Sequence, residues 1–83
     1  MDEFVIVIYP RRRDVIVDGE VTAKTRETFI VQTGNHRFSL AGPDNYRPSA
    51  QTHLIENTTA NDPFVVVFTQ KSTVARLVAD HQA

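Results

Sequence analysis

Apolar residues in this chain come in short bursts, and turn-forming residues interrupt them about every 8 to 14 positions. That rhythm leaves no room for a long amphipathic helix. It predicts short strands folded back on one another as a sandwich or barrel. The first burst, Phe4, Val5, Ile6, Val7, Ile8 and Tyr9, is β-branched or aromatic throughout, which suits a pleated surface and disfavours a helix. Both of its faces are apolar, so it is expected to be covered on both sides for part of its length. Pro10 ends it. A second burst at residues 14–17 runs into Asp18-Gly19, a two-residue hairpin signal, because both central positions of a type I′ turn need positive φ.

The return strand starts at Glu20, Val21 and Thr22. In residues 27–32, Phe29 and Val31 fall on one face and Thr28, Ile30 and Gln32 on the other. Thr33-Gly34-Asn35 reads as a turn. His36, Phe38 and Leu40 then alternate with Arg37 and Ser39. Residues 41–48 form a loop carrying Tyr46, residues 49–56 a weakly amphipathic strand with Leu54 and Ile55 at its apolar end, and residues 57–63 a polar loop. Residues 64–69 are the last strand. Beyond them, Ser72 or Thr73 caps a predicted short helix with Val74, Leu77, Val78 and His81 on one stripe. A helix of that length forms only if the stripe docks on something. The core is expected from Val5, Val7, Val15, Val17, Phe29, Val31, Phe38, Leu40, Leu54, Phe64, Val66 and Phe68.

Eighty-three residues make one domain, spanning residues 1–83. A chain of this size buries only about 60–65% of its unfolded surface, so the core is modest. With no cysteine, neither disulfides nor thiolate metal sites nor cysteine nucleophiles are available. A net charge of −1 gives no global field for nucleic acid or an anionic membrane. The longest apolar run is the six residues 4–9, against about 20 for a membrane-spanning helix. Asp2 and Glu3 stand where a signal peptide would carry basic residues. As written the chain is expected in the cytoplasm; as a module of a longer exported protein it would be extracellular.

At Val15-Ile16-Val17-Asp18-Gly19 a family pattern begins. It continues through Lys24-Thr25, an apolar strand, Gly34-Asn35-His36 and Tyr46-Arg47-Pro48. This succession resembles the PEGA domain over residues 14–68. Ala23 and Asn45 stand where that family usually has glycine, Arg26 where it has proline, and the Pro-Glu-Gly-Ala motif is absent. The resemblance implies a small β-sandwich of the carboxypeptidase-regulatory or transthyretin-like kind, found in bacterial and archaeal surface and signalling proteins, with no catalytic residues to carry over. It implies structural turn positions at Asp18, Gly19 and Gly34, and a packed loop corner at Tyr46 and Pro48.

Tyr9-Pro10-Arg11-Arg12-Arg13 raises the possibility of a phosphate clamp or base stacking. Basic and acidic residues balance six to six over residues 1–42, however, which argues for a solvated turn. His36, His53 and His81 lack any short metal-ligand spacing. Ser39, Ser49 and Ser72 sit in no nucleophile elbow, and Asp18, Asp44 and Asp62 are explained as turn residues. Asn57-Thr58-Thr59 fits the glycosylation pattern but reads as a polar loop. The expectation is a small antiparallel all-β sandwich of six or seven strands with a short C-terminal helix. It is expected to be non-catalytic and cofactor-free, and to bind another protein or itself. The alternative is a ligand-binding module for polyanions or carbohydrate using Arg11, Arg12, Arg13, Arg37 and Tyr46.

Overall fold

A computed structural model describes residues 1–71 of the chain. They form nine strands: β1 (Asp2–Ile8), β2 (Asp14–Val17), β3 (Glu20–Lys24), β4 (Thr28–Gln32), β5 (Gly34–Leu40), β6 (Tyr46–Arg47), β7 (Gln51–Ile55), β8 (Phe64–Val67) and β9 (Thr69–Gln70). Seven of them make two sheets, of strand order β4-β1-β8 and β3-β2-β5-β7, and β6 pairs with β9. The protein is therefore all-β and sandwich-like. The predicted C-terminal helix lies outside the described residues. Among those described, no helix is long and apolar enough to cross a membrane.

One pair departs from the expected antiparallel pattern. β1 and β8 run parallel, with Val5 level with Phe64 and Ile8 with Val67. Chain tracing explains the direction. β7 ends at Ile55, opposite Gly34 at the start of β5, and neighbouring Thr33 donates its N–H to the Met1 carbonyl. The chain thus leaves β7 at the end where β1 begins, and β8 sets off beside it in the same direction. Parallel pairing needs a long crossover, and residues 9–63 lie between these two strands.

Alternation decides the core. On β1, Glu3, Val5 and Val7 point inward, followed by Tyr9. They meet Val31 of β4, Val66 and Phe68 at β8, and Val15, Val17, Phe38, Leu40 and Ile55 of the other sheet. Leu54 was expected here but is 51% exposed, whereas Ile55 is fully buried. Adjacent strand residues face opposite ways. The pairing of His53 with His36 and of Ile55 with Gly34 puts the odd-numbered residues of β7 inside. Tyr9 and Tyr46 join the core as well, linked by edge-on ring contacts from Tyr9 to Tyr46 and from Tyr46 to Phe68.

The turn at Asp18 and Gly19 has φ of 52° and 87°, the left-handed pair that a two-residue hairpin requires. The Thr33-Gly34-Asn35 turn is shorter than expected, since Gly34 already opens β5. Its φ of 139° is one that only glycine adopts easily. Pro48 follows a cis peptide bond from Arg47.

Candidate functional site

The five residues expected to form an interaction surface are not gathered into one. Arg13 turns toward the loop after β5. Its Nε donates to the Ala41 carbonyl at 2.8 Å, one terminal nitrogen to Asn45 Oδ1 at 2.6 Å, and the other to the Pro43 carbonyl at 2.7 Å. The guanidinium lies 5.5 Å from the Tyr9 ring centroid and 5.1 Å from that of Tyr46. Tyr46 is buried. Its hydroxyl donates to the Leu40 carbonyl at 2.9 Å and accepts from the Leu40 N–H at 3.2 Å. Both residues therefore hold the 41–45 loop against the sandwich. Gly42 sits under Arg13, and a Cβ there would meet a guanidinium nitrogen at 2.9 Å.

Arg12 pairs with Glu27 on the surface, an exposed contact of small energetic weight. Arg11 is exposed at the end of β1. Arg37 lies toward the opposite end of β2, since its neighbour Phe38 pairs with Val17 while Arg13 precedes Asp14. Four strand residues separate the two ends, about 13 Å. No single ligand patch joins Arg37 to the others.

Two polar clusters escaped the sequence reading. Glu3, with 3% of its surface exposed, accepts hydrogen bonds from Thr33 Oγ1 at 2.5 Å, Thr58 Oγ1 at 2.6 Å and the Thr58 N–H at 3.0 Å. Thr58 Oγ1 in turn accepts from the Phe4 N–H. Glu3 thereby ties the start of β1 to the loops after β4 and β7. The hydroxyl bond from Thr33 leads, with the bonds from Thr58, in holding its pKa at about 2 rather than 4.5. A signal for this was present, because Glu3 stands in phase with the inward Val5 and Val7.

The second cluster is Asp18 with His36. Asp18 Oδ1 accepts from the Arg37 N–H at 2.9 Å, and Oδ2 lies 2.6 Å from His36 Nδ1. His36 Nε2 lies 2.6 Å from the Gln32 carbonyl. Both ring nitrogens face acceptors, an arrangement that the imidazolium satisfies completely. The Arg37 N–H first, then His36, lowers the Asp18 pKa. Burial pulls the His36 pKa down, but its bonds to Asp18 and the Gln32 carbonyl outweigh this, and the net direction is up. His36 and His53 are cross-strand partners, while His81 lies outside the described residues. Among those described, no three His, Cys, Asp or Glu side chains come together as metal ligands.

These clusters fix a pH profile. Glu3 stabilises the fold above pH 4.5, and its contribution is lost as pH falls through about 2. Asp18 likewise contributes fully above 3.8 and loses its contribution as pH falls through its lowered folded pKa. His36 contributes fully below 6.5, and that part is lost as pH rises through its raised folded pKa. Melting temperature is therefore expected to peak between about pH 4.5 and 6.5 and to fall on both sides. Glu3→Gln should flatten the acid limb and His36→Gln the alkaline limb. A Glu3→Gln profile parallel to wild type would sink the assignment of the acid limb.

A further surface is the outer face of β4-β1-β8. Phe4, Ile6 and Ile8 of β1, Ile30 of β4, and Val65 and Val67 of β8 point away from the core. Registers place Phe4 beside Ile30, Ile6 beside Val65 and Ile8 beside Val67, so the six form one patch. Ile30, Val65 and Val67 are each about half exposed, Ile8 is 37% exposed, and Phe4 and Ile6 are half-buried. Residues 4–9, expected to be covered on both sides for part of their length, are buried on the inner side at Val5, Val7 and Tyr9 and partly covered on the outer side at Phe4 and Ile6, with Ile8 exposed. Among the described residues β8 is also an edge: apart from β1, its backbone takes a bond from Gln51 Nε2 to the Val67 carbonyl. No family model, curated protein or solved structure matches this chain.

Proposed function

We propose that this chain is a non-catalytic interaction module of PEGA-like character, binding another protein or a second copy of itself through the outer face of β4-β1-β8. The observation that carries the reading is the continuous apolar patch from Ile30 through Phe4, Ile6 and Ile8 to Val65 and Val67. Scattered exposed apolar residues are ordinary, but a contiguous patch rimmed by polar groups marks a contact surface. The edge of β8, unpaired among the described residues, adds a second means of engagement, because a partner strand can extend the sheet. Against the polyanion or carbohydrate alternative stand the bonds that occupy Arg13 and Tyr46 within the protein.

A photo-reactive amino acid at position 65 of the full chain, irradiated in the cells that produce it, is expected to give discrete covalent adducts. The same probe at Thr52, exposed on β7 of the other sheet, is expected to give none. Absence of any discrete adduct at position 65 would overturn the reading.

A further inference from the structure

We infer that the occupant of this outer face is a second copy of the chain, stacked face to face with its strands antiparallel, because the patch lies between an acidic end and a basic end of the same sheet. The inference rests on the interaction reading above and names its partner.

The charge placement follows from the topology. Asp2 opens β1, and Asp62 lies just before β8, which starts level with Val5 beside it. Both carboxylates are exposed at this end and outnumber the Met1 ammonium, which bonds to Gln32 Oε1 there. Arg11 and Arg12 follow β1 at the far end, and Arg26 joins them there, its N–H bonded to the Val7 carbonyl. Of these three arginines Arg12 pairs with Glu27, and the nearby Asp14 is paired with Lys24.

Take a two-fold axis lying in the interface and running across the strands. It superposes β1 on its own copy with the direction reversed, and Ile6, the middle one of the outward residues Phe4, Ile6 and Ile8, sits near the axis. Each acidic end then meets the copy's basic end. A parallel stack would bring like charges together, so the electrostatics select the antiparallel one. Sheets stacked in this way pack about 10 Å apart with strands within about 30° of alignment. The symmetry closes after two copies.

Size sets the strength. Three strands spaced about 4.8 Å apart and about 20 Å long present roughly 300 Å², well below the roughly 800 Å² per partner of a standard interface. The dimer is therefore a weak, dissociating one, with a midpoint between about 1 µM and about 1 mM.

Light scattering and sedimentation of the full chain from about 1 µM to about 1 mM test this. The mass is expected to rise from 9.4 kDa toward twice that value. Val65→Lys, an outward change on an edge strand, should weaken association at least about tenfold by placing two like charges at the interface. Unchanged circular dichroism and melting temperature would establish that this variant folds. Val21→Lys, 65% exposed on the other sheet, should associate like wild type. Added salt should weaken the dimer.

A mass fixed at 9.4 kDa throughout, or a dimer indifferent to Val65→Lys, overturns the inference. So does a position-65 adduct that peptide mapping assigns to residues 72–83 of the same chain. If the cellular adducts join position 65 to a different protein alone, the self-partner fails while the interaction reading stands. No adduct of any kind overturns both.

Discussion

Phe38→Ala is expected to lower unfolding stability by about 3–5 kcal/mol, the usual effect of emptying a fully buried aromatic site. Phe38 is 0% exposed at the centre of the described core. It pairs with Val17 of β2 on one side and Gln51 of β7 on the other. Its ring lies 6.4 Å from that of His36 and 6.2 Å from that of His53. An 83-residue chain carries a total stability of about 4–12 kcal/mol at 0.05–0.15 kcal/mol per residue. The substitution thus removes a large share of it. Thermal melting should fall by about 12–40 °C, taking 4–8 °C per kcal/mol for a domain of this size. Leu54→Ala, a similar truncation at an exposed position, should change stability by less than about 1 kcal/mol. Equal losses at the two positions would mean that β7 is turned the other way round, with Leu54 inside.

Arg13→Ala is expected to cost about 2–4 kcal/mol, and Arg13→Lys nearly as much. The carbonyls of Ala41 and Pro43 and the side chain of Asn45 all accept from one guanidinium. Removing it leaves these acceptors without that donor and uncovers the rings of Tyr9 and Tyr46. A lysine ammonium is a point donor and cannot reproduce the planar fork. Hydrogen exchange gives a local readout. The Asn45 N–H, bonded to the Pro43 carbonyl, and the Lys71 N–H, bonded to the Asn45 carbonyl, should both lose protection. Arg12→Ala should stay within about 0.5 kcal/mol of wild type, because its pair with Glu27 is half exposed. Wild-type stability in Arg13→Lys would show that charge alone suffices and that the fork is unimportant.

The arginine run illustrates how a sequence feature changes meaning once folded. Three consecutive arginines read as one basic cluster. Folding divides them: Arg13 holds a loop, Arg12 pairs with Glu27, and Arg11 remains exposed beside them. Apart from Tyr9, the loop groups that Arg13 bonds lie 28 to 32 residues further along the chain, so no window around residues 11–13 contains them. Glu3 is the opposite case. Its period-2 phase with Val5 and Val7 marked it as inward-facing, and an inward carboxylate has to find donors. Its donors, Thr33 and Thr58, were beyond local reading.

The sequence by itself determined the all-β class, the Asp18-Gly19 hairpin and most of the inward-facing residues. Each of these depends on local quantities: β-branched content, left-handed turn positions, and the two-residue period of a strand. Tertiary structure alone decided the parallel pairing of β1 with β8, the choice of Ile55 over Leu54 for the core, and the meeting of His36 with His53. It also gathered one apolar face between an acidic and a basic end of the same sheet. Nearly uncharged runs such as residues 4–9 and 64–69 look alike in either direction, so strand polarity is set by how the intervening loops close. Which side of such a strand faces water is set by what packs across it.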